Sequence, residues 1–188
     1  MCDDTTRPPT DDSQDGTGGA IHDEAHAERI AEFWDAARPS AGSISQGGAA
    51  GERSENVERP SAWAFGDSPG LADELLALVL GGRKTAAASL VVEFEDVADP
   101  VPAAGDLSIV LDGQGEPRAL IRTTQVEIVP FAEVTAVHAS LEGEGDRTVE
   151  AWRTEHERAW RGTLESLGRE FDPSMLVVCE RFTVLYSA

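Results

Sequence analysis

The stretch DLSIVLDGQGEPRALIRTTQVEIV, residues 106–129, decides the fold class. Two runs rich in Leu, Ile, Val and Thr flank DGQGEP (112–117). Branched runs bounded by Asp, Gly and Pro predict two strands joined by a hairpin turn. Outward from this pair, SLVVEFE (89–95) and MLVVCERFTVLY (175–186) have the same composition and predict further strands.

Helical spacing appears between and before these runs. In SPGLADELLALVLGG (68–82), Leu71, Leu75, Leu76 and Val79 fall on one face, Ser68 or Asp67 can cap the start, and Gly81 and Gly82 supply a left-handed stop. DRTVEAWRTEHERAWRG (146–162) places Asp146 at the N-cap, an apolar line through Val149, Trp152 and Trp160, and Gly162 near the end. HAERIAEFWDAAR (26–38) carries Ala27, Ile30, Phe33, Trp34 and Ala37 along one stripe. Short, mostly antiparallel strands with a few helices predict an α+β fold, a small partly closed β-barrel with helices packed around its rim. The expected organisation is a disordered acidic tail over 1–20, an amphipathic helix over 21–38, a Gly/Ser/acid-rich linker over 39–60 and the barrel domain over 61–188.

The chain has 188 residues, enough to bury a core without disulfide or metal staples. Its two cysteines, Cys2 and Cys179, stand at opposite ends with no paired spacing, which predicts a reducing, cytoplasmic setting. LLALVL (75–80) is far too short to cross a bilayer. The net charge of −20 argues against a surface that grips long nucleic acid through phosphates. Any nucleic-acid contact must therefore be local.

One local exception stands in GGRKTAAAS (81–89). Lys and Arg total 15, and Lys84 is the single lysine among them. Two glycines at a helix-to-strand junction let the chain turn sharply and aim the next side chains into a cleft. An ammonium there can bind a phosphate or developing oxyanion, or lose its proton and serve as a base, which arginine cannot do. The plainer alternative is a surface loop lysine, but its exclusion everywhere else weighs for function. In LEGEGD (141–146), Glu142, Glu144 and Asp146 alternate with glycines, so an extended chain would point three carboxylates to one side. Such a set could hold a hard cation or supply a general acid/base; Asp146 capping the next helix is the plainer account of that residue. Trp63 and Phe65 could stack on a base or pack as core. Trp152 and Trp160 are expected in the core, and His138 and His156 have no partner at ligand spacing, so no His-based metal site is expected.

AWAFGDSPGLADELLALVLGGRKTAAASL (62–90), VPAAGDLSIVLDGQGEPRALIRTT (101–124), VPFAEVTAVHASLEGEGD (129–146), VEAWRTEH (149–156) and VVCERFTVLY (177–186) follow one another in an order that resembles the ASCH domain family. The resemblance spans about Trp63 to Tyr186. It implies a PUA-like barrel, a cleft between barrel and helices, and association with RNA or a nucleotide fragment. Some members are ribonucleases of single-stranded RNA that use a divalent metal, Mn or Mg; others remove the acetyl group of 4-acetylcytidine. By the same resemblance Lys84 matches the lysine of the helix-to-strand junction, Glu142 is similar to its carboxylate partner, and Arg122, Thr123 and Thr124 come from a strand facing the same region. Lys84 and Glu142 are thus the expected catalytic pair, Arg83, Thr85, Arg122, Thr123 and Trp63 the expected substrate contacts, and Glu144 the expected metal ligand. The amide-cleaving members carry a nucleophilic threonine three residues after the lysine, where this chain has Ala87. Thr85 and Ser89 offer hydroxyls at other spacings. Cleavage of RNA by its own 2′-hydroxyl needs no protein nucleophile, so hydrolysis of single-stranded RNA leads, with a non-catalytic nucleotide-binding module as the alternative.

Overall fold

The structure is a computed structural model that describes residues 17–42, 58–97 and 100–188. Most of the expected acidic tail and of the linker, and with them Cys2, lie outside the described residues.

The elements run α1 (Thr17–Ala41), β1 (Ala62–Ala64), α2 (Pro69–Leu80), β2 (Ala86–Leu90), α3 (Val91–Val97), β3 (Leu107–Leu111), β4 (Pro117–Pro130), α4 (Ala136–Glu142), α5 (Val149–Ser166) and β5 (Leu176–Ser187), with a 3-10 turn over Phe131–Glu133. The five strands form one curled sheet in the order β1-β3-β4-β5-β2, an open half-barrel with β1 and β2 at its two edges. β1 pairs parallel to β3 and the other three pairs are antiparallel. The hairpin predicted at DGQGEP joins β3 to β4, and Asp112 organises it by accepting from the N–H groups of Gln114 and Glu116. β4 and β5 are long enough to serve both halves of the curl. Register shifts at Leu120/Ile121 and Thr123/Gln125 add the bend that a flat ladder lacks.

Alternation along the strands divides the core. Val110, Ala119, Ile121 and Phe182 pack with Phe65, Leu75, Leu76 and Val79 beneath α2. Ile109, Leu111 and Leu120, on the opposite face, pack with Phe33, Trp34 and Ala37 of α1. The N-terminal helix thus docks on the sheet, and it starts at Thr17, four residues inside the stretch expected as tail. Leu90, Val177 and Cys179 pack with Trp152, Trp160 and Leu164 of α5 and with Phe131.

Several local expectations change. SLVVEFE is a strand only as far as Leu90; Val91–Val97 is helix α3. Glu93 reaches back to accept the Leu90 N–H at 2.6 Å, a capping contact that outweighs the strand preference of two valines. Gly81 is right-handed, and Gly82 alone, at φ +68°, makes the left-handed stop. α5 is capped by Thr148, whose hydroxyl accepts from Ala151, while Asp146, two residues before that cap, accepts from Thr148. Gly162 lies within α5; the left-handed residue that follows the helix is Gly168. No helix among the described residues is long and apolar enough to cross a membrane.

Candidate functional site

Two loops are clasped beside the sheet. After α2 the chain is tied off by the Arg83 and Lys84 N–H groups, both donating to Leu78 O. Thr85 N–H then donates to Leu141 O at 2.8 Å, joining this loop to the end of α4. There Gly143 caps the helix at φ +74°, pressed so close that a Cβ would lie 2.4 Å from Arg83 O. Both the dihedral and the approach require glycine. Arg83 closes the clasp, its guanidinium donating to Gly145 O at 3.3 Å.

The clasp buries an ionic centre. Lys84 is 2% exposed and Glu142 1% exposed. The Glu142 carboxylate receives four donors from three segments. Oε1 accepts from His138 Nε2 at 2.9 Å and Trp152 Nε1 at 2.6 Å; Oε2 faces Lys84 Nζ at 3.3 Å and His156 Nε2 at 3.4 Å. His156 stacks on Trp152, and its Nδ1 is 3.0 Å from Trp152 O. Burial pushes the Glu142 carboxyl up, yet the hydrogen bonds from His138 and His156 and the Lys84 charge together hold it well below the ordinary carboxylate range. Lys84 also contacts Glu144, whose Oε1 accepts from Nζ at 2.5 Å, and lies 5.2 Å from the Phe65 ring centroid. Glu144 faces solvent with a third of its side chain exposed.

The expected residues therefore separate. Lys84, Glu142 and Glu144 converge, with Arg83 and Thr85 at the rim. The chain through 142–146 is not extended: the left-handed turn at Gly143 brings Glu144 to Lys84 while Asp146 turns away to Thr148. Arg122 is not brought to this centre; its guanidinium donates to Ala41 O and fastens the end of α1. Thr123 is buried and donates to Glu180. Trp63 is half-buried and packs edge-on against Phe65, whose ring also meets Lys84. Thr85 is half-buried, its hydroxyl donating to Leu141 O at 3.4 Å.

As a metal centre the donors do not fit. Both Glu142 oxygens accept from N–H groups, and the solvent-side carboxylate holds an ammonium where a cation would sit. Among the described residues no group of three His, Cys, Asp or Glu side chains is placed to hold a metal ion.

His138, Trp152 and His156 were not singled out as site residues in the sequence. The available signal was their spacing: His138 and Glu142, and Trp152 and His156, are each four apart and share a helix face. On the far side of His138 a cleft of about 20 Å³, room for a water molecule, is lined by Glu127, Glu133, Thr135, Cys179 and Arg181. Burial, then the Glu142 and Glu127 charges, push the Cys179 thiol up to about 12.

The chain has relatives of known structure. A family model described as the ASCH domain matches residues 61–186. A crystal structure of a protein from Enterococcus faecalis V583, described under the family model DUF984, is 33% identical with a TM-score of 0.72, covering 84% of this chain and 88% of that one. The ASCH domain from Lactobacillus crispatus JV V101 is 29% identical, also at a TM-score of 0.72, covering 85% of this chain and 95% of its own. No curated protein matches the chain.

Proposed function

The chain belongs to the ASCH domain family, whose fold is PUA-like and whose members are associated with RNA, and from that premise we propose that it binds one or two nucleotides of RNA at Lys84 and the exposed Arg83 beside it. The observation that carries this reading is the placement of the single lysine. It is held between two carboxylates with Arg83 exposed beside it, the one lysine of a chain of net charge −20. Trp63, half-buried beside Phe65, offers a ring for a base. The acidic surface repels a long polyanion, so recognition is confined to the segment at Lys84 and Arg83.

A second reading, hydrolysis of single-stranded RNA, is favoured by the buried Lys84–Glu142 pair. A fixed ammonium can stabilise charge developing on a phosphate, which is a transition-state effect. In this reading Glu142 is a positioning residue, since its oxygens are occupied by protein donors, and Lys84 is the group that meets the phosphate. Removal of an acetyl group is not supported: Ala87 has no hydroxyl, and that of Thr85 is engaged by Leu141 O.

The test is affinity against oligonucleotide length, from one to eight nucleotides, for wild type, Arg83→Ala and Lys84→Arg. Affinity should level off at one or two nucleotides and fall in both variants. Affinity that climbs with length, or that neither variant changes, would sink the binding reading. Cleavage of a labelled single-stranded RNA with manganese or EDTA decides the second: cut product from wild type that Lys84→Arg does not form is expected of an enzyme, and an intact strand in every lane removes the hydrolytic reading.

A further inference from the structure

The two carboxylates on Lys84 differ in how they are held. Glu142 is locked by four donors. The Glu144 carboxylate accepts a hydrogen bond from Lys84 and, among the described residues, from nothing else, while its backbone carbonyl accepts from Arg147 N–H at 3.0 Å. It sits on the solvent side of an ammonium that is otherwise buried, with Glu142 behind it and the Phe65 ring 5.2 Å away. This is where the oxygen of an anionic ligand would have to arrive.

The backbone around Glu144 is fixed, and its side chain is not. Gly143 is wedged against Arg83 O. Beyond it, Asp146 holds Thr148, and Arg147 donates to the carbonyl and hydroxyl of Ser140. Between these anchors stands Gly145, at φ +50°, with open space where a Cβ would be. The backbone there is tied, with Glu144 O bonded to Arg147 N–H and Gly145 O to Arg83, so it is the Glu144 side chain, held by Lys84 alone, that can leave while the clasp stays closed.

Charge makes such a movement necessary. Counting Lys84, Glu142 and Glu144, the cluster carries one positive and two negative charges, and a phosphate approaching it is repelled. With Glu144 turned away, the exposed ammonium and the adjacent Arg83 attract it. We propose that Glu144 is a built-in substitute for the ligand's anionic group: its carboxylate occupies the phosphate subsite of Lys84, and a nucleotide binds by displacing it through rotation of the Glu144 side chain. The device discriminates among ligands. A bare phosphate must displace a carboxylate that is already in place, whereas a nucleotide adds base and sugar contacts to the exchange. The inference rests on Lys84 being the nucleotide-binding residue.

Calorimetric titration of wild type, Glu144→Gln and Glu144→Ala with inorganic phosphate and the four ribonucleoside 5′-monophosphates tests it. Removal of a competing charged hydrogen bond should tighten nucleotide binding by about tenfold or more in both variants and bring phosphate binding within range. Both variants take one charged bond from a buried ammonium, so a lowered melting temperature is expected, and a melt records that they are folded at the temperature of the titration. Binding to wild type that is unchanged or weaker in the variants would overturn the displacement and make Glu144 a ligand contact. Failure of wild type and both variants to bind any of the probes would instead overturn Lys84 as the nucleotide site, and the displacement with it.

Discussion

Glu142 and Glu180 are both carboxylates withdrawn from water, and their surroundings drive them in opposite directions. Glu142 ends α4 and is met by an indole N–H, two imidazoles and an ammonium; burial pushes it up, and the bonds from His138 and His156 with the Lys84 charge hold it well below the ordinary range. Glu180 lies on β5 with the Thr123 hydroxyl as its donor; burial pushes it up, the Thr123 bond offsets part of that, and the Asp106 charge adds to it. Burial by itself favours the neutral acid. What reverses it is the number and charge of the donors that the fold brings to the oxygens.

The comparison is broken most directly by removing the charge of the first carboxylate. Glu142→Gln leaves Lys84 without its fully buried partner and turns an amide N–H toward donors, so urea denaturation should show a loss of about 3–5 kcal/mol. The same variant should lose the acid limb of the stability curve. Glu142 is depressed on folding, so its contribution is fully present above the ordinary value of 4.5 and is lost as pH falls from there toward its folded value. Stability measured from pH 3 to 7 should therefore vary less in Glu142→Gln than in wild type; an equal acid loss in both would show that Glu142 is not held by its donors.

Trp152→Phe sharpens the same side by deleting one donor while keeping an aromatic ring against Phe131 and His156. A hydrogen bond to a charged acceptor is worth about 1.5–3 kcal/mol, and a loss of that size should appear. A loss near zero would return Trp152 to a purely packing role.

The smallest effect, and of opposite sign, belongs to Glu180→Gln. A carboxyl whose folded value is raised costs stability as pH rises from its ordinary value of 4.5 through the folded one. The variant should accordingly match or exceed wild type in melting temperature at pH 7 and lose that advantage at pH 4. A clear destabilisation at pH 7 would mean that Glu180 is needed as the anion.

Much of this was legible beforehand. The hairpin, the long β4 and β5, the stripe of α2 save for Leu71, which is exposed while Ala72 is buried, and the convergence of Lys84 with Glu142 follow from patterns of period two or 3.6, from turn residues and from the family likeness. The misplacements share a cause. SLVVEFE reads as strand by composition, yet one glutamate reaching back to a backbone N–H starts α3. Arg122 sits on a strand expected to face the cleft, but a neighbouring residue on a strand points to the opposite face, and Arg122 meets α1 instead. Trp152 reads as core on its helix and is core, but its one polar atom needed an acceptor from another segment.

The sequence alone determined the fold class and singled out the residue at the centre of the buried ionic cluster, because periodicity, turn chemistry and a lone lysine in an arginine-rich chain are all local in the chain. The tertiary structure decided the ionisation and partners of that centre. Four donors reach one carboxylate from the α2–β2 loop, α4 and α5, and a left-handed glycine sets a second carboxylate against the same ammonium. Contacts between segments 58 and 60 residues apart leave no periodic trace, so only the packed chain reveals which charges they hold in place.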